Sequence, residues 1–374
     1  MQTEYFQKSN KTIIDKFFAL DFVLIFLVLI LGTISLFAMY STEKGNFNYY
    51  TQSHLYRFFI FFLIFILFSF VKIQVWFRLS YIFYFIVILL LIGVDFFGIT
   101  SSGSKRWVNL FFINLQPSEI MKISLIIFLA RYYNKIPSAE VNHIKFMVIP
   151  IFAIFIPVSF VVNQPDLGTA LLITITGLFV IWLAGISMKY FIFSSIIVTC
   201  LMPVVIAFLK PYQKLRILTF LNPERDPLGA GYQIIQSKIA VGSGGLTGKG
   251  YLKGSQSYLD YLPEKHTDFI FTLFSEEFGF VGSILLLLIY ALIIYRITKI
   301  GTQSRSNFSK LFCYGFASAF FIFVAVNMMM VLGLLPIVGS PLPIMSYGGS
   351  SMLSIMIGLG IVMSCKISSN DEIS

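Results

Sequence analysis

Long apolar runs, one after another along almost the whole chain, constrain this sequence more than any other feature. A helix crossing the hydrocarbon of a bilayer needs about 20 predominantly apolar residues. On that ruler about ten stretches qualify: 18–39, 55–72, 76–97, 116–132, 146–162, 168–185, 188–209, 268–294, 310–334 and 345–365. The fourth is the weakest, because it carries Glu119 and Lys122. Residues 107–115 are apolar but too short to cross, and are expected at the membrane interface. With 57% hydrophobic and 12% charged residues, little sequence is left for a large soluble domain. The expected fold class is therefore an all-α membrane protein, a polytopic bundle of about ten transmembrane helices in one integral membrane domain, 1–374.

The net charge of +10 is not gathered into the stripe that nucleic acid requires, so no nucleic-acid partner is expected. The basic residues sit between the apolar runs, as topology signals do. Lys8, Lys11, Lys16, Lys72, Arg78, Arg131, Lys135, Lys145, Lys189, Arg296, Lys299, Arg305, Lys310 and Lys366 fall on one side of the alternation. The short loops of the other side receive Lys44, Arg57, Lys105 and Arg106, which predicts both termini inside. The first run is too long for a cleaved signal and lacks an A-x-A-like site, so it is expected to stay as the first span. The segment 210–267 becomes a large extracytoplasmic loop between spans 7 and 8, long enough to escape the charge rule. Cys200, Cys313 and Cys365 have no CxxC spacing, which argues against a disulfide framework or a zinc site.

Several residues can carry chemistry. Residues 242–250, GSGGLTGKG, superficially resemble a phosphate-binding glycine loop. A Walker motif would need Gly at Ser243 and Ser or Thr at Gly250, and a dinucleotide loop would need Gly at Thr247, so no nucleotide cofactor is expected. A flexible backbone interleaved with Lys238, Lys249 and Lys253 can face a diphosphate, or simply anionic headgroups. Asp268 opens an apolar helix, where an aspartate is either a cap or a base or cation ligand at the water boundary. Asp260 and Glu264 precede it at steps of four, but Pro263 argues against one helical face. Glu119 and Lys122, three apart, share a helix face and are either a structural pair or part of a polar cavity. Glu276 and Glu277 can extend such a cavity downward from Asp268. Residues 333–351, rich in Gly and Pro, read as a broken hairpin with close helix packing, or as a break lining a substrate path.

Taken together, GSKRW at 103–107, QPSEIMK at 116–122, QPDLGTA at 164–170, FLNPERDPLGAGYQIIQSKIAVGSGGLTGKG at 220–250, LPEKHTDFIF at 262–271 followed by EEFGFVG, and SYGGSS at 346–351 resemble the SEDS (shape, elongation, division and sporulation) family. GKG followed by GSQS is similar to its RodA branch rather than to FtsW, and Lys265, where Arg is common, is a conservative departure. The resemblance implies a peptidoglycan glycosyltransferase of the bacterial inner membrane that joins lipid II into β-1,4-linked strands on the outer face during cell elongation. It implies a class B penicillin-binding protein and the elongation machinery as partners, with Asp268 as the catalytic residue. Substrate contacts are then expected from Arg106, Trp107, Glu119, Lys122, Arg216, Gln236, Lys238, Lys249 and His266. Asp268 is also the candidate ligand for a divalent cation, Mg²⁺ or Mn²⁺. Two rival readings keep the same precursor or partner: a lipid II flippase, and a non-catalytic scaffold for the transpeptidase.

Overall fold

The computed structural model describes residues 12–101, 104–109, 114–137, 139–208, 211–226, 229–255 and 264–371. After a short α1 (Ile13–Phe18), the chain runs through α2 (Phe22–Thr42), α3 (Tyr49–Ser69) and α4 (Ile73–Phe97). Three short antiparallel strands follow in the order β1 (Ile99–Ser101), β2 (Ser104–Asn109), β3 (Asn114–Leu115). The rest is helical: α5 (Pro117–Asn134), α6 (Lys145–Asn163), α7 (Leu167–Leu183), α8 (Met188–Phe208), α9 (Pro211–Leu221), α10 (Ala230–Ser243), α11 (Ile270–Gln303), α12 (Asn307–Val331) and α13 (Gly349–Ile367).

Each of the ten apolar stretches overlaps a described helix, with bounds that differ from those of the stretch. By length and composition, seven of the described helices suffice to cross a membrane: α2, α3, α4, α6, α11, α12 and α13. The chain is a multi-pass membrane protein. Residues 107–109 belong to a strand, because β1 and β3 satisfy the β2 backbone from either side. The expected loop at 210–267 is also more ordered than a connector, since it holds α9 and α10.

α5 was the weakest span in the sequence, and its surroundings explain why. It packs against α4, α6, α7, α12 and α13, and Pro117 through Ala130 are all buried. A helix walled by protein does not need an unbroken apolar surface, so it can hold Glu119 and Lys122 if they pair. Pro117 at its first turn presets the helical φ. At the other extreme, the described side chains of α8 are nearly all exposed, as befits an apolar helix in contact with lipid.

Between α12 and α13 the backbone is irregular, and its 340–346 stretch is largely buried, an arrangement tolerated at membrane depth only when its polar groups find protein partners. They do. Asn327 Nδ2 donates to Ser340 O (2.7 Å), the Tyr290 hydroxyl to Pro343 O (2.8 Å), and Ser35 Oγ to Ile344 O (3.2 Å) and Met345 O (3.1 Å). Side chains from α2, α11 and α12 thus fix residues 340–345 in one conformation.

Candidate active site

Asp268 sits in a tight turn, 264–269, directly before α11. Asn327 Nδ2, besides Ser340 O, donates to the Asp268 backbone carbonyl at 2.9 Å, tying the turn to the irregular segment between α12 and α13. The carboxylate faces Gly339, where a methyl group would lie 3.6 Å from Oδ2. Withdrawal from water raises its pKa to about 7, the Glu264, Asp166 and Glu119 carboxylates push the same way, and Arg216 opposes them. A carboxyl poised near neutrality in this way can accept a proton in a working cycle.

Residues 337–339 form a hub. Arg216 Nη1 on α9 donates to Ile337 O at 3.4 Å, and Gly168 on α7 lies so close that a methyl there would stand 2.0 Å from Val338 O. At the same end of α7, Asp166 caps the helix by accepting from Thr169 N (3.1 Å) and Thr169 Oγ1 (2.9 Å). Arg106 on β2 pairs with Asp166 at 3.5 Å and donates to Pro165 O (2.6 Å) and Gln164 O (3.3 Å). Gln116 Nε2 reaches the same carboxylate at 3.4 Å. Below them, Lys122 Nζ contacts Glu119 Oε1 at 2.8 Å and lies 4.3 Å from the centre of the Phe323 ring. Asp268, Arg106, Glu119, Lys122 and Arg216 are therefore one electrostatic neighbourhood.

Asp166 is the member that sequence reasoning missed. Its signals were the Asp-x-x-Thr cap spacing before an apolar run and its place within QPDLGTA. Trp107 is half-buried on β2 beside Arg106, and Gln236 is half-buried on α10. The His266 ring stacks on Tyr50 at 4.0 Å, while its carbonyl accepts from Tyr347 N at 2.9 Å, so it braces the Asp268 turn.

Lys238 and Lys249, two further expected substrate contacts, lie on and after α10. Lys238 lies over the end of α12, where a methyl at Gly333 would meet its Cε at 2.1 Å. Lys249 contacts Glu276 Oε1 at 2.7 Å instead of facing the Asp268 carboxylate. Glu276 and Glu277 belong with the glycine loop, so they do not extend a cavity from Asp268; the Glu277 carboxylate takes the Ser41 hydroxyl from α2. Asp260 lies outside the described residues. Among the described residues no three His, Cys, Asp or Glu side chains come together as a metal-holding group.

Comparison with known proteins points in one direction. Residues 15–371 match the FtsW/RodA/SpoVE profile of cell cycle proteins. The chain is 46% identical over 282 residues to the peptidoglycan glycosyltransferase MrdB of Escherichia coli (strain K12), covering 75% of this chain and 76% of that one. It is 36% identical over 282 residues to stage V sporulation protein E of Bacillus subtilis (strain 168), covering 75% of each. Its fold superposes on a chain of a peptidoglycan synthase complex described as coordinating polymerization and crosslinking, with a TM-score of 0.81, 30% identity, and coverage of 94% and 98%. It also superposes on the rod shape determining protein RodA of Thermus thermophilus, with a TM-score of 0.69, 25% identity, and coverage of 94% and 98%. The chain belongs to the FtsW/RodA/SpoVE family.

Proposed function

We propose that this protein is a peptidoglycan glycosyltransferase that polymerises lipid II, with Asp268 as the general base. The observation that carries the reading is the placement of Asp268: Asn327 holds its backbone carbonyl at 2.9 Å, and its carboxylate faces Gly339 of the 337–339 hub. The acceptor's sugar hydroxyl gives its proton to Asp268. Its oxygen forms the new bond to the donor's anomeric carbon from the face opposite the leaving group, and the bond to the lipid diphosphate breaks with inversion. One base suffices, because the diphosphate leaves without an acid, unlike the leaving group of a two-carboxylate hydrolase. Arg216 and Arg106, already oriented by backbone carbonyls, supply positive charge toward the departing diphosphate.

The site is assigned to the outer face of the bacterial inner membrane, with both termini in the cytoplasm, on the distribution of Lys and Arg. A class B penicillin-binding protein is the proposed partner, in keeping with the synthase complex whose chain shares this fold. The flippase reading loses its expected polar path, because Glu119 and Lys122 are buried against each other. The test is purified protein with its cognate transpeptidase and lipid II in proteoliposomes. Glycan ladders are expected; translocation of labelled lipid II without ladders would replace this reading with the flippase.

A further inference from the structure

α11 is broken. At Gly279 the backbone turns to φ 64°, ψ −160°, so 270–278 is a buried half-helix carried directly behind Asp268, and 280–303 is a separate length of helix. An unbroken helix would bond Phe280 N to Glu276 O and Val281 N to Glu277 O. The glycine loop supplies substitutes for all four groups. Lys249 N and Gly250 N donate to Glu276 O and Glu277 O, both at 3.0 Å; Phe280 N and Val281 N donate to Gly245 O (2.9 Å) and Leu246 O (3.1 Å).

The approach is so close that only glycine fits. A methyl at Gly244 would stand 2.2 Å from Ser275 O, one at Gly248 2.0 Å from Glu277 O, and one at Gly279 2.3 Å from Gly248 N. Side chains complete the joint. Lys249 Nζ contacts both Glu276 Oε1 and Ser255 Oγ at 2.7 Å, and Ser255 Oγ donates to the same carboxylate oxygen at 3.1 Å. The Glu277 carboxylate accepts from the Leu252 and Gly254 backbone and from Ser41 of α2. The glycines of this loop thus serve backbone docking, and its Lys249 and Gly250 amides are spent on α11.

We propose that Lys249 is a positioning residue for Asp268: with the glycine loop it latches the break in α11 and holds the 270–278 half-helix, and with it the base, in register with the hub. The inference rests on the glycosyltransferase reading, but makes Lys249 act through Glu276 rather than on the substrate diphosphate.

Steady-state polymerisation of lipid II by the protein–transpeptidase complex tests it. Lys249→Met is expected to lower kcat by about 10- to 100-fold while KM stays close to wild type, the signature of a displaced catalytic group. Lys249→Arg, and the exchange K249E/E276K, are expected to recover most of the rate lost by K249M and by K249E. A raised KM with kcat kept, or an exchange no better than K249E alone, would overturn the latch and return Lys249 to the diphosphate. Should K249M not fold, hydrogen exchange on the wild-type complex decides. Amides of Lys249, Gly250, Phe280 and Val281 are expected to exchange as slowly as those within α11, and exchange at open-loop rates would overturn the proposal. Active wild type with full-rate K249M sinks this inference alone, whereas inactive wild type sinks the glycosyltransferase reading with it.

Discussion

A single carboxyl sets the pH behaviour expected of this protein. Asp268 must be ionised to accept a proton, so polymerisation is expected to rise with pH through about 7. Arg216→Met removes the charge that favours ionisation and should move that midpoint upward; Glu264→Gln removes an opposing carboxylate and should move it downward. A pH–rate profile for the two variants checks both signs. Linkage gives a stability counterpart. Because the folded-state pKa is raised above an unfolded value of about 3.9, the stability this group contributes is full below about pH 4 and lost as pH rises through about 7. Asp268→Asn should therefore melt no lower than wild type at pH 8 while losing activity. Spacing alone left Asp268 divided between cap and base, and only family resemblance favoured the base. Lys249 shows the converse limit: a lysine among glycines reads as a phosphate ligand, and nothing local in the sequence tells that its partner is Glu276, 27 residues on.

Helix boundaries and helix breaks were less legible than helix existence, for reasons that particular elements make plain. α3 begins at Tyr49, earlier than its apolar run, because the Glu43 carboxylate accepts from the N–H groups of Asn48 (3.2 Å), Tyr50 (3.0 Å) and Thr51 (2.9 Å) and so anchors a polar first turn. α11 continues to Gln303 past the apolar stretch, with Arg296 paired to Asp21, the N-cap of α2. Its break at Gly279 follows from contacts with residues 244–250, which no window of sequence contains. Two glycines separate docking from mere flexibility. Gly248→Ala puts a methyl against a backbone carbonyl at φ 80° and should cost well over the about 1–2 kcal/mol of left-handed strain alone. Gly242→Ala, in α10 with open space around it, should be neutral or stabilise by about 0.5–1 kcal/mol. On α5, Lys122→Met strands a buried Glu119 and should cost about 3–5 kcal/mol, much of it recovered in the E119Q/K122M double variant. Thermal midpoints of the purified variants in detergent test all of these.

At the scale of the whole molecule, the helical bundle was written in the hydropathy, because lipid forces each segment to satisfy its own backbone. What hydropathy cannot write is the site, which is assembled from β2, α5, α7, α9, the turn before α11 and the irregular 332–348 segment. Orientation is a further property of the whole, carried by the sum of scattered lysines and arginines. Lys105→Cys on the predicted outer side should react with an impermeant maleimide in intact cells, and Lys189→Cys should react only after permeabilisation, both in a Cys200→Ser background. The most direct test of the central claim is lipid II polymerisation by the protein–transpeptidase complex carrying Asp268→Asn. A loss of about 100- to 10,000-fold in kcat is expected, with the complex intact and the fold as stable as wild type. Wild-type glycan strands from the Asp268→Asn complex would contradict it.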